Sequence, residues 1–265
     1  MMKKRILLFL MVLLLISGGC SRKAEEEITE EEPVEEEVIE QPVEEEIEED
    51  PHTSPYDLDA LSTLWQENKK INSDYVGEIF FESGLVDQPF VQGASNDTYL
   101  RKDWITGEYL SCGSIFMDFR NTLNDQNVII YGHYVYLSKD PSGEKVFTPL
   151  RFLTDEENYE ENKTFYLFLG DELRQYDICV VYYCQLISNN TDTDPKTRYY
   201  YTEYDEDYFN SYKEAVKKKA FYETGTDFTY EDKLVTLQTC VENRDDLREI
   251  IIAKLVDSWE VNSEE

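Results

Sequence analysis

The spacing of apolar residues divides the chain into three stretches. Ile6 to Ile16 is eleven unbroken apolar residues behind the basic start Met1–Arg5. Residues 21–55 are dominated by Glu, with Val, Ile and Pro, and carry no apolar periodicity. From Tyr56 onward, periodic patterns begin. In Tyr56-Asp-Leu-Asp-Ala-Leu-Ser-Thr-Leu-Trp, the apolar positions 58, 61, 64 and 65 share one helical face. Short strand-like runs follow, split by turn residues: Tyr75–Phe81, Gln88–Gln92, Asn127–Tyr131, Thr164–Leu169, Gln175–Cys184, Lys233–Leu237 and Glu249–Val256. A second helix is predicted from Tyr208 to about Ala220. Phe209, Tyr212, Ala215 and Val216 lie on one side of it, and Lys217-Lys-Lys at its end suits the helix dipole. Short strands with few helices, and no strand–helix alternation, predict a mainly β domain built as an antiparallel or mixed barrel.

The two leading stretches read as targeting and spacing. Eleven apolar residues fit a signal-peptide core and are short for a membrane span. Ser17-Gly18-Gly19-Cys20 follows and resembles a bacterial lipobox, with Ser17 where that motif usually has Leu. In one reading residues 1–20 are a leader and Cys20 is lipidated to become the mature N-terminus of a lipoprotein. In the other they form an uncleaved anchor. Both tie the chain to the membrane through its N-terminus and put the rest on the outer face. Residues 21–50 hold 16 acidic residues against Arg22 and Lys23, and Pro33-Val-Glu-Glu-Glu recurs at Pro42. Repulsion and proline keep such a segment extended, so residues 21–55 are expected to form a solvated, disordered stalk. It could reach at most roughly 100 Å. Residues 56–260 then make one domain.

Charge narrows the function. The chain carries 25 Lys+Arg against 57 Asp+Glu, a net charge of −32, which excludes a basic face for nucleic acid. Two His and five Cys without a C-x-x-C pair leave no evident zinc site, and no cofactor is implied.

The candidate chemistry rests on thiols and strand ends. Cys179 and Cys184 lie in one predicted strand at odd spacing, so they are expected on opposite faces, unable to bridge. Cys112 sits in the polar loop Ser111-Cys-Gly-Ser, and all three are read as core or incidental thiols. Cys240 differs: it ends the strand Leu234-Val-Thr-Leu-Gln-Thr-Cys, just before a polar turn. His52 falls in the stalk. His133 follows the strand Val128-Ile-Ile-Tyr, with Gly132 expected to let the chain turn. A strand-end Cys and His are the minimum for thiol nucleophilic catalysis. Arg248, eight residues after Cys240 and just before an Ile-rich strand, can return to the same cleft and donate to an oxyanion. Arg244, mid-turn among acids, is expected to face water.

This order of His, Cys and Arg resembles the sortases. Val128-Ile-Ile-Tyr-Gly-His133 is similar to the family's histidine motif, and Thr236-Leu-Gln-Thr-Cys240 to its T-L-x-T-C motif. Asp87-Gln-Pro-Phe-Val-Gln, Asn96-Asp-Thr-Tyr-Leu100 and Gly113–Asn121 resemble class B members in order and spacing, as does a helix ahead of the cysteine strand. The resemblance implies an eight-stranded barrel with an N-terminal helix, and a cysteine transpeptidase of Gram-positive-type cell envelopes. Cys240 would be the nucleophile, His133 the acid/base partner, and Arg248 the oxyanion and substrate donor. Asn96 and Leu100 match positions lining the class B substrate groove. Gln238 stands where class B members often carry Ser, close enough to the cleft to alter motif choice. The implied partners are surface proteins bearing a Thr-containing C-terminal sorting motif and a peptidoglycan-precursor amine. The alternatives are a sortase-like hydrolase or pilin polymerase, and a non-catalytic lipoprotein binding module.

Overall fold

Eight strands carry the alternation of the sequence. The computed structural model describes residues 53–187 and 194–261; the leader, Cys20, the stalk up to residue 52 and His52 itself lie outside them. The strands are β1 (Tyr75–Phe81), β2 (Asp87–Val91), β3 (Ile115–Met117), β4 (Asn127–Tyr131), β5 (Thr164–Phe168), β6 (Glu172–Gln185), β7 (Leu234–Val241) and β8 (Arg244–Glu260). They close into a barrel in the order β1-β2-β3-β4-β7-β8-β6-β5. The β2/β3 and β4/β7 pairs are parallel and the others antiparallel, so the barrel is mixed. Closure leaves no sheet edge unpaired.

Alternation sorts the strand residues between two cores. Val128 and Ile130, Val235 and Leu237, and Ile251 and Ala253 are buried together in the main cluster. Leu234, Ile250 and Ile252 pack instead with Phe209, Tyr212 and Val216 of the helix Glu206–Lys217. Both faces of β8 are therefore covered, which explains why its centre reads as an unbroken apolar run. Of the helices α1 (Leu58–Ile71), α2 (Tyr159–Asn162) and α3 (Glu206–Lys217), the first and last are legible in the sequence. Asp57 caps α1 by accepting from Ala60 N at 3.0 Å, and the helix lays Leu58, Leu61 and Trp65 on Tyr166, Phe168 and Trp259. Asp205 caps α3 by accepting from Tyr208 N at 3.1 Å, so that helix starts before Tyr208. No helix among the described residues is long and apolar enough to cross a membrane.

One strand goes unpredicted and two local expectations change. β3 is only three residues, all buried, too short to show a period. Cys179 and Cys184 do not face opposite ways: both pack in the cluster beneath α3. The β6/β8 register slips between Ile178 and Val180, a bulge at Cys179 that resets the alternation. Both thiols are free, and five residues of extended chain separate them by roughly 15 Å. Finally, β8 begins at Arg244, so Arg248 lies inside the strand rather than before it. The connecting turn shrinks to Glu242 and Asn243, and Asn243 takes the left-handed conformation (φ 57°) that asparagine tolerates.

Candidate active site

The last turn of β7 and the start of β8 build the floor. Cys240 and Arg248 are Cα partners across this antiparallel pair, so their side chains leave the same face. The register then jumps, with Val241 opposite Arg244, which leaves Asp245–Leu247 bulged between the two arginines. That bulge orients Arg248: its Nη1 donates to the carbonyls of Asp245 (3.1 Å) and Leu247 (2.7 Å). The remaining guanidinium N–H groups stay available in a fixed plane. Arg244 turns away, exposed, and donates to both carboxylate oxygens of Asp246 at 2.9 and 3.1 Å.

His133 arrives from β4, the parallel neighbour of β7. As the chain leaves β4, Gly132 N still donates to Gln238 O (3.1 Å), which keeps the segment beside the cysteine strand. Gly132 is there for space rather than for a turn: a Cβ at this position would lie 2.5 Å from the Phe147 ring. Phe147 N in turn donates to His133 O at 3.2 Å. The imidazole Nε2 sits 2.8 Å from Leu100 O. A carbonyl only accepts, so Nε2 carries the hydrogen and Nδ1 keeps the lone pair of the neutral ring. Burial, with help from the Arg101 charge, holds His133 below the ordinary imidazole value, against the Leu100 hydrogen bond. The ring is therefore mainly neutral at pH 7.

His133, Cys240 and Arg248 line one open cavity of about 580 Å³. Cys112, read from sequence as core or incidental, lines it too, as do Tyr109 and Tyr134. The loop bearing Cys112 is locked by Gly113 (φ +58°), whose Cβ would meet Leu100 O at 2.5 Å. Asn96, Leu100 and Gln238 are not among the lining residues. Leu100 meets the site through its carbonyl. The Asn96 amide donates to Asp118 (3.0 Å) and its carbonyl oxygen accepts from Phe119 N (3.0 Å). Asp118 also takes the Tyr131 hydroxyl at 2.8 Å, which buttresses the end of β4. Burial alone would raise the Asp118 carboxyl, but hydrogen bonds from Arg120, Asn96 and Tyr131 hold it at about 2. No pattern in the sequence marks Asp118 as the centre of this network.

Behind the floor, Thr239 and Glu249 face each other from β7 and β8 on the opposite side from Cys240. Thr239 Oγ1 and Glu249 Oε1 are buried without a hydrogen-bond partner. Burial pushes the Glu249 carboxyl up to about 8, partly offset by Arg151.

No protein-family model matches the chain. Individual relatives do. Sortase B of Listeria monocytogenes is 33% identical over 182 residues, covering 67% of each chain. A Staphylococcus aureus sortase B–substrate complex superposes with a TM-score of 0.62 at 26% identity, over 76% of this chain and 87% of that one. Sortase B of Clostridium perfringens gives 0.60 at 27% identity, over 72% and 99%. Sequence identity, barrel topology and the order of motifs along the strands agree, and the chain belongs to the sortase B family of cysteine transpeptidases.

Proposed function

We propose that this sortase cleaves a Thr-containing C-terminal sorting motif and joins the released carbonyl to a cell-wall amine, with Cys240 as nucleophile. The observation that carries this reading is the cross-strand pairing of Cys240 with Arg248 in the cavity that also receives His133. Cys240 Sγ attacks the Thr carbonyl carbon while His133 Nδ1 accepts the thiol proton. Arg248 donates to the carbonyl oxygen as it becomes anionic. Collapse breaks the C–N bond, the proton passes from His133 to the leaving nitrogen, and a thioester remains on Cys240. An acceptor amine then reverses the sequence, forming an amide and freeing the thiol. Sortase B of Staphylococcus aureus has been solved with substrate, and a sortase B has been solved with a glycine tripeptide, which supports a peptide donor and an amine acceptor here.

Leu100 is a positioning residue that fixes the imidazole through its carbonyl, and Asn96 acts one step further back through Asp118. Gln238 holds the Gly132 amide beside the cysteine strand. Residues 1–20 tether the enzyme to the outer face of the membrane, through a lipidated Cys20 or an uncleaved anchor, and residues 21–55 space the catalytic domain, 56–260, from it. Cys240→Ala is expected to abolish cleavage of Thr-containing sorting peptides with an unchanged thermal melt. Substantial turnover in that variant overturns the assignment.

A further inference from the structure

The charge balance of the chain reverses at the active-site cavity. Acidic residues outnumber basic ones by 57 to 25 over the whole sequence. Yet Arg101, Lys139, Lys145 and Arg248 line the cavity against a single carboxylate, Asp245. The two arginines are tied to carbonyls: Arg101 donates to Ser111 O and Arg248 to Asp245 O and Leu247 O. Lys139 and Lys145 are exposed, and neither is in an ion pair among the described residues. The neighbouring carboxylates are held in place by neutral donors, and the Ser142 hydrogen bond and the nearby Lys145 charge keep Asp140 ionised. Asp140 accepts from Ser142 Oγ (2.6 Å) and Lys145 N (3.2 Å). Glu242 accepts from Tyr134 OH (3.1 Å) and Leu137 N (3.3 Å). Four cations from three separate segments of an acidic sequence, lining one cavity against one carboxylate, make a site for an anion.

We propose that this sortase selects a carboxylate-bearing peptide, with Lys139 and Lys145 receiving the carboxylate beside the reacting thiol. The proposal rests on Cys240 being the nucleophile. The carboxylate belongs either to the donor, as an acidic side chain flanking the scissile Thr, or to the acceptor, as an acid group near its amine. In either case the lysines bring the reacting peptide to the cavity by a charge that the rest of the protein repels. They also disfavour protonation of the attacking amine, which must be neutral to react.

The test uses the full-length chain and pairs that differ only in charge. Donor peptides with Asp or Glu beside Thr are compared with their Asn or Gln counterparts. Glycylglycine is compared with glycylglycinamide as acceptor. Two exposed charge contacts predict a preference on the order of three- to tenfold in kcat/KM for the carboxylate form in one arm, shrinking as salt is raised. The arm that shows it identifies the source. Lys139→Gln/Lys145→Gln erases the discrimination. Equal rates in both arms, or a preference that survives the double variant, overturns the proposal while acylation of Cys240 leaves the nucleophile intact. Turnover with no acyl adduct on Cys240 overturns both.

Discussion

Replacing Arg248 or Arg244 separately distinguishes two arginines four residues apart by what their guanidinium groups touch. Arg248 commits Nη1 to the carbonyls of Asp245 and Leu247 at 3.1 and 2.7 Å, which leaves three of its five N–H donors for a ligand. Losing one oxyanion donor typically costs about 10²- to 10³-fold in kcat, roughly 3–4 kcal/mol. Arg248→Ala is therefore expected to lower kcat for acylation by that factor. Arg248→Lys recovers little, because an ammonium that holds both carbonyls has one hydrogen left. Arg244 touches only Asp246 and does not line the cavity, so Arg244→Ala stays within about twofold of wild type. Single-turnover release from a quenched fluorescent sorting peptide measures the step, with thermal melts confirming that each variant folds. Equal losses in Arg248→Ala and Arg244→Ala, or a loss under about fivefold for Arg248→Ala, would refute the oxyanion role.

Other consequences are equally open to measurement. Because burial and Arg101 depress His133, the acid limb of kcat/KM should fall below 6.5, and Arg101→Gln should move it upward; a limb at or above 6.5 in the wild type contradicts a neutral acceptor ring. Glu249 is raised in the folded state to about 8, so the folded protein holds a proton there that the unfolded chain releases above about 4.5. Stability should thus decline as pH rises from about 4.5 to 8, by up to a few kcal/mol, and Glu249→Gln should flatten much of that slope in urea titrations. Glu78, raised to about 7 mainly by burial, contributes in the same direction and leaves a residual slope. Gly132→Ala forces a methyl against Phe147 and should cost about 1–3 kcal/mol in unfolding experiments, with a larger loss of activity as His133 shifts.

Strands are legible because burial marks them: one covered face gives a period of two, and two covered faces give a short apolar run, as at the centre of β8. The Val128–Tyr131 and Leu234–Cys240 runs place His133 and Cys240 at strand ends by pattern alone, and the β4/β7 pairing brings those ends together. What escapes the sequence is whatever breaks a period. Three-residue β3 has no period to show. The bulge at Cys179 is one extra residue with no distinctive side chain, and it inverts the expected facing of two cysteines. The bulge before Arg248 is likewise silent in sequence, although it is what separates the cavity arginine from Arg244. The cationic lining is invisible for another reason. Arg101, Lys139 and Lys145 are scattered basic residues in an acidic chain, and only the barrel's closure gathers them around the cavity that holds Cys240.

Every step of the proposed reaction passes through an acyl group on Cys240. The direct measurement is mass spectrometry of the full-length protein after mixing with a library of Thr-containing sorting peptides, with and without an amine acceptor. The expected result is an acyl adduct localised to Cys240 that disappears on adding the amine, with the amide product formed in its place. Peptide turnover with no adduct on Cys240, or with the adduct on Cys112, would contradict it.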